Sequence, residues 1–150
     1  MIFLEIDKTD TAILRVLGEN ARLSLRKIAK KTGFSVATVM HRIKKLEDSG
    51  AIKKYTPVLD ADKLGFELQA IIDLRVSKGK LMEVEKKVAG HPNVCAVYDV
   101  TGAFDAVIIA KFRNRKGLDA FVKKIQKYDF VERTETKIIL NTIKEEQIMV

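Results

Sequence analysis

The tightest constraint in this chain is a gap of two residues. Ser24 is placed to cap a short helix that carries Leu25, Ile28 and Ala29 inward, and Ser35 to cap another. In that second helix Val36, Val39, Ile43 and Leu46 recur at i, i+3, i+7 and i+10, a single apolar stripe that ends at Gly50. Only Gly33 and Phe34 stand between the two, with Gly33 where a left-handed glycine closes a helix. The pattern predicts a tight helix-turn-helix. A preceding helix, capped by Asp7, holds Ile13, Leu14 and Leu17 on one side and ends near Asn20.

The face opposite the apolar stripe holds Ala37, Thr38, His41, Arg42 and Lys45. An arginine that can fork onto guanine, a small residue and a hydroxyl for the thymine methyl, and a lysine for phosphate suit a helix lying in a major groove. Charge points the same way. From Arg22 to Lys54 there are ten basic residues and two acidic ones, a net of +8, which equals the net charge of all 150 residues. The remainder of the chain sums to zero, so a basic module is joined to a neutral one. A solvated lysine-rich helix face is the plain alternative. Arg22 and Ser35 join the candidate DNA contacts. After Gly50, Ile52, Val58 and Leu59 are strand-like and Pro57 suits an edge strand, so residues 51–59 are expected to form a β-hairpin wing. Lys53 and Lys54 on that wing would position the protein on the sugar-phosphate backbone without reading sequence.

The run Asp7-Lys8-Thr9-Asp10-Thr11-Ala12-Ile13-Leu14 is followed by Asn20-Ala21-Arg22, Ile28-Ala29 and Gly33-Phe34-Ser35. The longest piece is Val39-Met40-His41-Arg42-Ile43-Lys44-Lys45-Leu46-Glu47-Asp48-Ser49-Gly50-Ala51-Ile52. In this order and spacing, residues 5–59 resemble the winged helix-turn-helix of the Lrp/AsnC (feast/famine) transcription regulators.

The polar stretch 60–66 is expected to link two domains, residues 1–59 and 67–150. Beyond it, Leu68, Ala70, Ile72, Leu74 and Val76 alternate with other residues as a strand. Leu81, Val84 and Val88 mark a helix, Val94 to Val100 a second strand and Ala106 to Phe112 a third. Leu118, Phe121, Val122 and Ile125 mark another helix, and Val131 to Ile143 a long last strand. The order β-α-β-β-α-β is the ferredoxin-like pattern, so the chain is expected to be α+β. The sheet face away from the helices carries Ile71, Val97, Val107 and Ile109, which a second copy packed sheet to sheet would cover. A two-fold dimer also suits a palindromic DNA site.

This half is similar to the effector-binding domain of the same family. The resemblance implies a small-molecule ligand, usually an amino acid, bound where dimers meet, and assembly of dimers into octamers. It also implies a pocket framed by the glycine-containing turn between the second and third strands, here Thr101, Gly102, Ala103, Phe104 and Asp105, with Thr134, Glu135 and Thr136 contributed by the last strand. Such a turn offers backbone N–H groups to a carboxylate, and Asp105 is a partner for an ammonium. Family members commonly carry an acidic residue directly after the glycine. Ala103 stands there instead, one amino-group partner fewer.

Several classes drop out. One cysteine, Cys95, allows neither an internal disulfide nor a cysteine-cluster metal site, and His41 and His91 lack ligand spacing. Cys95 reads as a small core or interface hydrophobe. No nucleophile or histidine joins Asp99 and Asp105, so neither catalytic residues nor cofactors are expected. No apolar run reaches the roughly 18 residues of a membrane span, and Met1 to Asp7 lack the basic start and long apolar stretch of a signal peptide, so the expected setting is the cytoplasm. The expected function is a sequence-specific transcription regulator whose DNA binding or assembly responds to a small metabolite. The alternative is an architectural, ligand-independent protein that organises DNA with little sequence preference.

Overall fold

Short polar residues start the helices where the sequence places them. In this computed structural model, which describes residues 5–150 apart from the Glu85 side chain, α1 (Lys8–Glu19) begins at Asp7. The Asp7 carboxylate accepts from the Asp10 N–H at 2.8 Å, and the Asp10 carboxylate accepts from the Asp7 N–H at 3.2 Å. This reciprocal cap satisfies two amides that the helix start leaves unpaired. α2 (Leu25–Thr32) is capped by Ser24, and α3 (Val36–Asp48) by Ser35, whose hydroxyl accepts from the Thr38 N–H at 3.1 Å. Gly33 ends α2 with φ 78°, a left-handed conformation that a side chain at this position would strain. The first four residues of the Met1–Asp7 reading lie outside the described residues.

The chain divides into two compact units: the residues up to Val58 together with Glu145–Val150, and Leu59–Lys144. In the first, Ile13, Leu17, Ile28, Ala29, Val39 and Ile43 form the core, with Phe34 and Ile52 packed against it. Val36, expected in the buried stripe, is 41% exposed because the first turn of α3 projects past the core. The C-terminal segment returns to α1. The Arg15 Nε donates to the Val150 carbonyl at 2.7 Å, and Met149 lies over Gly18, where an added Cβ would meet its sulfur at 3.1 Å.

A buried carboxylate joins α1 to α3. Asp10 has no exposed surface, and its oxygens receive Arg42 Nη1 and Lys45 Nζ, each at 3.3 Å, in addition to the Asp7 amide. Arg42 Nη1 also reaches Asp7 at 2.5 Å. A carboxylate without water must be paired, and here both cations come from α3. The Asp10 N–H and, next, the Arg42 guanidinium hold the Asp7 carboxyl below its ordinary value of 3.8.

The expected hairpin wing is absent. Residues 51–59 form no strand ladder, Val58 is 94% exposed and Leu59 63%. β-like residues need a partner strand, and among the described residues of this unit none is offered. The segment is tied back near its start, where Ile52 N–H donates to the Leu46 carbonyl and Tyr55 Oη donates to Glu47 Oε1 at 2.7 Å. Burial and then the Glu47 carboxylate push the Tyr55 phenol up to about 12.

The second unit is one antiparallel sheet in the order β2-β3-β1-β4, from β1 (Leu68–Val76), β2 (Val94–Asp99), β3 (Ala106–Phe112) and β4 (Val131–Ile138). α4 (Leu81–Val88) and α5 (Arg115–Gln126) cover one face, over a core of Ala70, Ile72, Leu74, Val84, Ile108, Phe112, Phe121 and Ile125. β4 stops at Ile138, short of the expected Ile143, because the β1 pairing that sustains it ends at Ala70. Stretch 60–66 is no free linker: Arg113 donates to the Leu64 carbonyl at 3.0 Å and stacks on the Phe66 ring at 4.6 Å.

Asp10→Ala removes a cap and the partner of two cations at once, and is expected to destabilise the first unit by about 2–4 kcal/mol in urea unfolding followed at 222 nm. For Asp7 the sign follows from its lowered pKa. Its contribution is complete above 3.8 and drains away as the pH falls below that value. Asp7→Asn still caps the helix but does not titrate, so its stability is expected to fall less on acidification than the parent's; parallel acid limbs would refute the assignment.

Candidate nucleic-acid interface and effector turn

Successive residues of a helix turn by about 100°. With Val39, Ile43 and Leu46 inward, the direction facing away is set by Ala37, His41 and Lys44, at i, i+4 and i+7. All three are exposed, as is Met40 at 55%. Ser35 is exposed at the start of the helix, and its hydroxyl and that of Thr38 lie 2.9 Å apart. A small residue, an imidazole and a lysine paired with Asp48 therefore share one open face, with the Ser35 and half-exposed Thr38 hydroxyls at its edge.

Arg42 and Lys45 do not stand on that face as freely as the sequence reading has it. Both are only half-exposed and spend their charge on Asp7 and Asp10. Arg42 lies one residue before buried Ile43, at the flank of the apolar stripe, and from there reaches α1. The Asp7 carboxylate holds the guanidinium above its ordinary 12.5. Sequence reasoning passed over Lys44 and Met40. The helix period contains the signal for Lys44, which faces away from Val39, Ile43 and Leu46; Met40 lies at about a right angle to that stripe. Lys44 pairs with Asp48 at 3.2 Å, a contact between two well-exposed side chains that constrains it little. Arg22, Lys53 and Lys54 are exposed on the same unit.

In the second unit the turn and the last strand meet at one point. The Arg133 guanidinium lies 5.5 Å from the centre of the Phe104 ring. Gly102 has φ 116°, which keeps a side chain out of the turn. Thr101, Gly102 and Ala103 are exposed. Asp105 is less available than its sequence reading assumes. Its Oδ2 accepts from the Val76 N–H at 2.7 Å, beside the irregularity in β1–β4 pairing, and its own N–H donates to the Leu74 carbonyl. Thr134, Glu135 and Thr136 do not converge, because a strand alternates. Thr134 turns to the helix layer and accepts from Gln126 at 2.9 Å, while Glu135 lies on the opposite face, 3.4 Å from Lys137 Nζ.

That opposite face carries Ile71, Val107 and Ile109, half-buried, and Tyr98, 56% exposed. Val97 does not belong to it. The register shift between Val94 and Ala96 reverses the parity of β2, so Val97 packs into the helix-side core. Cys95 is exposed, so of its two expected places the core is excluded. Asp73 is the group the sequence reading misses here. It is buried at the centre of the open face and bonded to Lys137, whose ammonium it stabilises. A cleft of about 340 Å³, lined by Ser77, Lys80, Glu83, Lys87, Asp129 and Phe130, lies beside the start of α4 and includes none of the predicted effector residues. Among the described residues there is no group of acidic, histidine or cysteine side chains that would hold a metal, and no helix long and apolar enough to cross a membrane.

Known proteins share this arrangement end to end. Residues 6–53 match the winged helix-turn-helix DNA-binding family, and residues 69–149 the Lrp/AsnC ligand binding domain. An uncharacterized HTH-type transcriptional regulator of Pyrococcus furiosus is 46% identical over 143 residues, covering 95% of this chain and 97% of that one. The HTH-type transcriptional regulator FL11 of Pyrococcus horikoshii is 37% identical over 93% of both chains. The structure of Escherichia coli AsnC superposes with a TM-score of 0.90 at 26% identity, covering 98% of this chain and all of that one. A Neisseria meningitidis transcriptional regulator in complex with L-Met does so with 0.90 at 28% identity, over 95% and 94%. With both domains matched in order along nearly its whole length, the chain belongs to the Lrp/AsnC family of DNA-binding transcription regulators.

Proposed function

We propose that this regulator reads a specific duplex through α3 and that an amino acid bound in the second unit changes its DNA binding or its assembly. The observation that carries the reading is the open face of α3, whose base-facing side chains stand on a helix braced from behind by Asp10. Ser35, Ala37, Thr38 and His41 meet base edges and the adjoining sugar. Arg22, Lys53 and Lys54 meet phosphates. Arg42 and Lys45 act through the brace that fixes the angle of α3, with any DNA contact secondary to it. An architectural DNA coat would not need a helix whose angle is held by a buried ion network.

For the effector, the open glycine turn at Thr101–Asp105 offers amide donors to a carboxylate, and Phe104 and Arg133 form one wall. The L-Met bound by the Neisseria relative supports an amino acid as the chemical class. Because Asp105 already serves Val76 and residue 103 is alanine, the ammonium is held by Glu135 or by a group of a second copy. The open apolar sheet face supports such a copy, as a homodimer that builds larger assemblies, octamers included. The setting is the cytoplasm, with duplex DNA as the macromolecular partner.

The test is a thermal-unfolding screen of the pure protein against each amino acid. A ligand at 100 times its dissociation constant adds about 2.7 kcal/mol, a shift of several degrees for a chain of this size. The hit is expected to change sedimentation or duplex affinity as well; if it moves neither, ligand and DNA are not coupled. On the DNA side, His41→Ala is expected to cost about 1–3 kcal/mol on a preferred site and blur one base step. Lys53→Ala should weaken all duplexes alike and lower the salt slope by about one. Competition binding on a panel of single-base variants separates the two patterns.

A further inference from the structure

Charge in the second unit is layered. The stretches 78–91 and 113–128, which contain α4, α5 and their ends, hold ten basic residues and three acidic ones, a net of +7. The rest of that unit is net −3. The second unit as a whole is +4, the same as the first, so it is not the neutral module the sequence reading expects. The layering is also directional. On α5, Lys116, Lys123 and Lys127 follow at i, i+7 and i+11, a straight line opposite buried Leu118, Phe121 and Ile125, and all three are exposed. Arg115 and Lys124 flank the line, also exposed. Among the described residues only Lys123 has an ion-pair partner, Asp119 at 2.7 Å, with both side chains more than 60% exposed. Arg115, Lys116, Lys124 and Lys127 have none.

We infer that this lysine line is a second duplex-DNA surface, one that grips phosphates without reading bases. Its ammonium groups span about 16 Å, over which a duplex presents roughly ten phosphate charges. Adenine-reading amides are not free on the line, since Gln126, the one amide on α5, is already bonded to Thr134, and long flexible lysines suit phosphate contact. A lipid surface fits less well, because the apolar face an interfacial helix would bury is packed on the sheet. The chain also brings its own duplex. DNA held by α3 is present near the second unit at the high effective concentration that a tether gives. The inference rests on duplex binding by the family's first domain.

The experiment measures affinity for a long duplex of arbitrary sequence, by fluorescence anisotropy across a potassium chloride series. The parent is compared with the triple variant Lys116→Gln, Lys123→Gln, Lys127→Gln and with Ala120→Lys, which adds a cation to the line at an exposed position. Each phosphate contact contributes about 0.9 to the slope of log K against log salt. The triple variant is expected to lose about 2–3 from the slope, and Ala120→Lys to steepen it by about 1. Because the two changes run in opposite directions, a folding defect does not mimic the pair. Slopes equal to the parent's in both variants would overturn the inference while leaving duplex binding by α3 intact. A parent that binds no duplex would instead sink the reading of the first unit. Capture of the parent but not the triple variant by phosphatidylserine vesicles, with duplex slopes unchanged, would assign the line to a membrane and overturn the inference too.

Discussion

One carboxylate holds α3 in place. Asp10 is shut away from water at the start of α1, and a charge in that position is tolerable only when paired. Its partners are an amide of its own cap and two cations from α3. The same group therefore ends the disorder of one helix and fixes the placement of another. Hydrophobic contact among Ile13, Ile28, Val39 and Ile43 gives these helices a reason to pack, but such contact is non-directional. The ion network supplies direction, because its distances tolerate little rotation of α3. A recognition helix needs its angle defined as much as its residues, so the cost of burying Asp10 has a return in geometry.

The second unit works on another economy. Its helix-side face is filled by alternate residues of all four strands, while the other face is left half-finished. Asp73 sits in the middle of that unfinished face, tied to Lys137 on the neighbouring strand. A buried charge in an otherwise apolar patch penalises loose or shifted packing, since any partner surface must leave the pair intact. The patch thus has an apolar surround that favours covering and a charged centre that restricts how covering occurs.

Much of this was readable from the residues. Caps at Asp7, Ser24 and Ser35 and the glycine at Gly33 are local chemistry, and local chemistry survives in the sequence. The order of strands and helices followed from periodicity. What failed were inferences that depend on a neighbour far along the chain. The wing was expected because Ile52, Val58 and Leu59 are β-like, yet a strand exists only if another lies beside it. Arg42 was assigned to the outer face because arginine suits guanine, while the carboxylates that claim it lie 32 and 35 positions earlier. Val97 changed faces through a single register shift that no alternation rule foresees. Thr134, Glu135 and Thr136 were carried over as a group, and alternation along the strand separates them. Within α3, by contrast, Lys44 was available from the period alone and was passed over in favour of residue type.

The return of Glu145–Val150 to the first unit changes how the two units are connected. In covalent terms the second unit is an insert: the chain leaves the first unit after Val58 and comes back to it at Glu145, where Arg15 and Gly18 receive the end. A domain hung on one tether swivels freely, whereas one held at both ends behaves like a bead on a closed loop. An extra residue or a tag at Val150 would accordingly disturb the DNA-binding half of the protein, although it is joined in sequence to the other.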